Sequence, residues 1–211
     1  MKTDQLVEAL SRDAGPQPRG IVERRIVIAA GIGIGVSILI VPLFFGFRSD
    51  MGHSVLAMLL KAGFGLAAAL TAAPLLFELA RPNTRVRHLL APALVFAAMS
   101  VVIAVVAYLS ASPESRMYVW FGGGVPECLY RIPLLALPIA AALVLAIRGL
   151  GPTRTTLAGA AIGGVSGSLA AIAYASCCPM DSALYVASWY LAAILFCAAI
   201  GAIVLGRALK W

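Results

Sequence analysis

Six apolar stretches dominate this chain, at residues 26–47, 55–80, 89–110, 126–147, 157–175 and 184–205. Each is close to the ~20 residues a helix needs to cross a bilayer core. In lipid a backbone has no water to bond, so segments of this length must satisfy their own amides as helices. The expected fold class is therefore all-α: an integral membrane bundle of six transmembrane helices with a short cytoplasmic N-terminal helix. Composition agrees, because only 12% of residues are charged and 62% are hydrophobic, whereas about a quarter are charged in an ordinary soluble domain. The first stretch starts after 25 residues, outruns a signal-peptide core and has no A-x-A site in the usual place, so it reads as a span. Pro133 and Pro138 interrupt the fourth stretch and Arg131 sits early in it. Pro126 suits the opening of that helix, with Glu127 in its first turn, and bundle neighbours can absorb the interior kinks.

Orientation follows from the basic residues. With the N-terminus inside, twelve Lys and Arg fall on cytoplasmic segments, and only Arg48, Arg116 and Arg131 fall outside. Both termini are thus expected in the cytoplasm. The net charge of +7 marks topology and forms no stripe for nucleic acid. The chain divides into a tail, residues 1–25, and a six-helix membrane domain, residues 26–211.

In the tail, Thr3 and Asp4 suit a helix start, while Leu6, Val7 and Leu10 line one face. Gly15-Pro16-Gln17-Pro18 ends that helix. About ten residues are marginal alone in water. The segment is either a frayed end or a helix that forms in a partner's groove, with Leu6, Val7 and Leu10 as anchors.

Small residues crowd two spans: Gly31, Gly33 and Gly35 in the first, and Gly159, Gly163 and Gly167 in the fifth. The latter spacing lets two helix backbones approach closely. GIGIGV is not a nucleotide fingerprint, since no strand precedes it and the spacing is wrong.

Lys61 lies about 9 Å inside the second span at the helical rise. It either snorkels to the headgroups or pairs with an acid such as Asp50, Glu114, Glu127 or Asp181. Glu78 is placed for a local ion pair with Arg81. Cys197 is mid-span and reads as a small apolar residue, whereas Cys128, Cys177 and Cys178 fall on the outer side. An oxidising outer compartment favours a disulfide between Cys128 and one of the adjacent pair. Adjacent cysteines rarely bridge each other, so a third thiol is left as an exchange partner or oxidation target. Arg131 favours a Cys128 thiolate and Glu127 opposes it. A structural staple and a redox or soft-metal sensor both remain open. His53 is either a further metal ligand or a solvated loop residue.

No catalytic set is present. The two histidines, His53 and His88, fall on opposite sides of the membrane, and there is no C-x-x-C, H-E-x-x-H or phosphate-cradling loop. No cofactor or metal centre is assigned.

The runs TDQLVEAL, ECLYRIPLLALP, PTRTTLAG and CCPMDSALYVASWY resemble the NrsF-type membrane anti-sigma factors, negative regulators of extracytoplasmic-function sigma factors in proteobacteria. The resemblance extends over essentially the whole chain. It implies that the tail around Asp4, Leu6, Val7 and Leu10 binds the sigma factor, and that Cys128 and Cys178 are the periplasmic pair tied to signal response. Cys178 is preferred because it directly precedes the proline and acid; family members commonly carry histidine at the position of Cys177. Lys61 fits the family pattern as an intramembrane charge. The expected protein is a multi-pass inner-membrane anti-sigma factor, touching lipid and a sigma factor but no nucleic acid directly, released by a redox or metal stress signal. The alternative is a thiol–disulfide oxidoreductase serving a quinone, under-equipped with three outer cysteines. A small-molecule exporter would want more polar residues near the midplane.

Overall fold

A computed structural model describes residues 20–46, 54–80, 87–122, 126–150 and 154–209. The tail with Asp4, Leu6, Val7 and Leu10, and also Asp50, His53 and Arg81, lie outside the described residues. Every described element is helical: α1 Ile21–Phe45, α2 Val55–Leu79, α3 Arg87–Ser110, the short α4 Arg116–Phe121, α5 Cys128–Ile147, α6 Thr155–Tyr174 and α7 Ala183–Ala208. Six are long and apolar enough to cross a membrane, so this is a multi-pass membrane protein of the expected all-α class. α1 begins five residues earlier than hydropathy suggests, because Glu23, Arg24 and Arg25 continue the helix past its apolar part. The turn of helix in α4 carries too few apolar residues to stand out as a span.

α6 is the hub. Of its most apolar stretch 72% is buried inside the protein, against 6% for α3. α2, α5 and α7 pack directly around it, and α1 packs mainly on α5. The reason is its side chains: TTLAGAAIGGVSGSLAAIAY is mostly Gly, Ala and Ser, and small residues let neighbouring backbones come close where lipid supplies no hydrophobic drive between helices.

The closest approach is to α7. A Cβ on Gly159 would strike the Gly201 carbonyl and stand 2.6 Å from the Gly206 amide nitrogen. One on Gly163 would strike the Cys197 carbonyl, and one on Gly167 would lie 2.9 Å from Cys197 Cβ. The glycine stripe of the fifth span therefore packs within one bundle, and α7 widens into a π turn at Gly201–Leu205 where the backbones meet. α2 uses Gly65 in the same way against Ser168 and Ile172 of α6.

The three glycines of α1 are not equivalent. Only Gly33 meets a neighbour, 2.6 Å from Ile139 Cα, while Gly31 and Gly35 face open space. Residues two apart on a helix point roughly 200° apart, so one helix contact can use only one of the set. One turn further on, Ser37 Oγ donates to the Leu135 carbonyl at 2.7 Å. That carbonyl lies next to the Leu134 carbonyl, which has no helical donor because Pro138 lacks an amide hydrogen, so the serine ties α1 to the turn of α5 that the proline disturbs. α5 stays continuous through both prolines. Outside, Leu39, Leu43, Leu56, Leu94, Leu137 and Leu145 are exposed, a surface suited to acyl chains and far too apolar for water.

Gly159→Leu is expected to destabilise the bundle by about 3 kcal/mol or abolish folding, since two backbones must part. Gly31→Leu, on the open face of the same molecule, is expected to leave the thermal midpoint in detergent nearly unchanged. Equal loss in both variants would mean that the seam does not set stability.

Candidate functional site

One end of the bundle gathers the start of α5, the end of α6 and the start of α7 around three of the four cysteines. α6 stops where Cys177 and Cys178 fold back: their amides both donate to the Tyr174 carbonyl, at 3.1 and 3.2 Å, and Ser176 Oγ donates to the Ala173 carbonyl at 2.8 Å. Pro179 has no amide hydrogen to continue the ladder. α7 then starts at Ser182, an extended residue whose hydroxyl accepts from the Tyr185 amide at 3.5 Å, the usual device for opening a helix.

Cys128 and Cys178 are fully buried and Cys177 is 8% exposed. All four cysteines are free thiols in this structure, so the expected disulfide is absent from it. Cys128 and Cys178 lie within electrostatic range of one another. Cys128 Sγ donates to the Tyr185 hydroxyl at 3.4 Å, and Tyr174 is within electrostatic reach of Cys128, Cys177, Cys178 and Tyr185. Tyr174 and Tyr190 are both buried, with ring centroids 5.8 Å apart. Nothing in the sequence alone assigned these tyrosines a role. Their signal was spacing: Tyr174 comes one turn before the cysteine pair, and Tyr185 opens the next helix.

The short α4 packs against the start of α7 and the loop before it. Gly122 at the end of α4 has φ +67°, and a Cβ there would meet Met180 Cγ at 3.0 Å, so the glycine admits both the left-handed backbone and the methionine of the thiol loop. Trp189 Nε1 donates to the Trp120 carbonyl at 2.8 Å and ties α4 to α7.

Lys61 does not snorkel. It is 2% exposed, its Nζ lies 2.6 Å from Asp181 Oδ1, and it donates to the Cys178 carbonyl at 2.8 Å. Of the acids weighed from sequence, Asp181 is the partner found. Arg131 is likewise engaged: it pairs with Glu127 at 2.7 Å, one turn back, and stacks over Phe45 at 5.0 Å. Its charge also reaches the thiol cluster, where it partly opposes the upward push of burial on Cys177. Glu127 stands one residue before the first turn of α5 and makes no capping hydrogen bond there, its side chain going to Arg131.

Burial pushes the Cys177 thiol up to about 11, with Cys178 beside it adding to the shift. Its Sγ donates to the Tyr174 carbonyl at 3.3 Å. A buried, protonated, hydrogen-bonded thiol is a poor nucleophile, which weighs against the expected role of exchange partner. Among the described residues no three His, Cys, Asp or Glu side chains cluster as metal ligands; His53 lies outside them. Cys197 packs in the α6–α7 seam as the small apolar residue expected.

Comparison with known proteins adds the following. Residues 10–211 match the model of a family described as negative regulator of sigma F. The chain is 30% identical over 215 residues to the probable anti-sigma-F factor NrsF of Azospira oryzae, with both chains fully covered. It is 32% identical over 214 residues to the anti-sigma-F factor NrsF of Caulobacter vibrioides, covering all of this chain and 98% of that one. No solved structure matches.

Raising the pKa of a thiol keeps the neutral form over a wider pH range, so Cys177 should resist alkylation until strongly alkaline pH. In Cys128→Ser/Cys178→Ser protein, iodoacetamide labelling of Cys177 at pH 8 is expected to be about 100-fold slower than for a thiol near 9, rising towards pH 11. A plateau by pH 9, read by mass spectrometry, would show that burial does not control it.

Proposed function

The chain belongs to the NrsF family, the negative regulators of sigma F, and we propose on that footing that it is a membrane-held anti-sigma factor. It sits in the inner membrane with both termini in the cytoplasm. Its tail sequesters a sigma factor of the extracytoplasmic-function type. The observation that carries this reading is the coverage of the match: both anti-sigma-F relatives align with the whole of this chain, the tail included. The excess of Lys and Arg on the tail side supports the orientation.

The tail, residues 1–25, is the docking element. Leu6, Val7 and Leu10 are its apolar anchors and Asp4 is its helix start. Folding against the sigma factor would cover the surfaces that polymerase needs. The protein carries out no reaction of its own.

The thiols at the far end receive the signal. Cys128 and Cys178 share one pocket, where either of two events can join them. Disulfide formation removes two protons and two electrons to an external oxidant, and a soft metal ion displaces the protons by binding both sulfurs. Either event pulls the start of α5 towards the loop between α6 and α7. Because α6 touches most of the bundle, a shift there reaches the helix ends next to the tail. A bias of about 3–5 kcal/mol is enough to invert a two-state population.

Leu6→Asp or Leu10→Asp is expected to weaken sigma-factor retention by about 30-fold or more, as for a buried interface anchor, read by co-purification of tagged sigma factor from membranes. Undiminished recovery would remove the tail from the interface. Treating vesicles with diamide should release sigma factor from the parent protein and not from Cys128→Ser/Cys178→Ser protein. Release from both would place the sensor elsewhere.

A further inference from the structure

Among the described residues Lys61 is the only charged side chain that is buried. A cation in the membrane interior is costly unless it is paired and hydrogen-bonded, and it marks function more often than packing. α2 has no need of it for its own contacts, which Gly65, Ala68, Leu75 and Leu76 supply. What Lys61 does is reach out of α2 to the loop that carries Cys178.

The two acceptors it meets explain why. The Cys178 carbonyl precedes Pro179 in an irregular segment between α6 and α7, and backbone oxygens at such depth need a donor. Lys61 Nζ donates to that oxygen at 2.8 Å and meets the Asp181 carboxylate at 2.6 Å. Two points of one loop, three residues apart, are therefore pinned to one ammonium group. Between the pinned points lie Pro179 and Met180, the residue packed under Gly122.

We propose that Lys61 is the positioning residue of the thiol pocket: its clasp on the Cys178 carbonyl and Asp181 holds the Cys178 sulfur inside, opposite Cys128. The clasp ties α2 to the signal loop by charge and hydrogen bonding together, so breaking it frees the loop while α6 keeps its packing. This deepens the reading of Cys128 and Cys178 as the signal pair and rests on it for its biological meaning.

The test reads the loop directly, independent of any sigma factor. In the full chain in nanodiscs, with Cys128→Ser, Cys177→Ser and Cys197→Ala leaving Cys178 alone, N-ethylmaleimide labelling is followed over time. Lys61→Met is expected to speed labelling of Cys178 by at least about tenfold, and Asp181→Asn by a smaller factor, because the closed state loses its tie. Lys61→Arg, which keeps charge and donors, should stay within about threefold of the parent. A thermal midpoint close to the parent's shows that the fold is kept. Unchanged labelling in folded Lys61→Met protein overturns the proposal. If that variant does not fold, unchanged labelling in Asp181→Asn protein overturns it as well. Faster labelling in Lys61→Met protein, together with a parent protein whose sigma retention ignores diamide, upholds the clasp and removes the signalling role of the pair instead.

Discussion

The bundle depends on close backbone contact between α6 and its neighbours. Lipid is as apolar as leucine, so burying leucine between helices brings little, and dispersion between well-fitted surfaces has to serve instead. Glycine and alanine make that fit possible on α6 by removing side-chain bulk at Gly159, Gly163 and Gly167. The large apolar side chains are displaced outward, where they meet acyl chains, and α3 is almost wholly committed to that role. Polar groups inside are few and each has a geometric task. Ser37 serves the turn ahead of Pro138, and Lys61 serves the loop ahead of Pro179. In both places a side chain from another helix donates to a backbone carbonyl close to a proline.

The membrane helices were readable because hydropathy and length speak directly to the bilayer. The ends of α2, α3 and α6 lie within two residues of the stretches marked by composition. The stripe on α6 was legible too, since a repeat of four is one face of a helix. Which glycines of α1 pack was not legible, because spacing fixes a face and not the partner that faces it. The same limit applied to Lys61. Sequence could supply a set of acids, but only the fold brings residue 181 to residue 61. The tyrosine wall around the thiols was invisible for a related reason: Tyr174, Tyr185 and Tyr190 look like ordinary interfacial aromatics until α6 and α7 are brought together. The short α4 escaped because a six-residue amphipathic turn leaves little trace in hydropathy.

Two groups of features now sit at opposite ends of the same helices. At one, thiols, tyrosines and a clasped loop; at the other, the glycine contacts of α6 with Gly201 and Gly206 and the hydrogen bond from Arg148 to the Ala208 carbonyl at 3.4 Å. α6 spans both. A helix packed this closely on several sides cannot bend gradually, because dense interfaces tolerate a few discrete arrangements and not a continuum. On the proposed reading, that stiffness lets chemistry at one membrane face be felt at the other.

The burial of both sulfurs has a consequence for timing. A reagent cannot touch a group with no accessible surface, so modification has to wait for the loop to swing away. When reclosing outpaces attack, the rate is proportional to both the open fraction and the reagent concentration. On the proposed reading, a brief pulse would then pass unrecorded while a sustained one accumulates modified molecules. A sensor built this way would integrate dose, with its sensitivity adjusted by how seldom the door stands ajar.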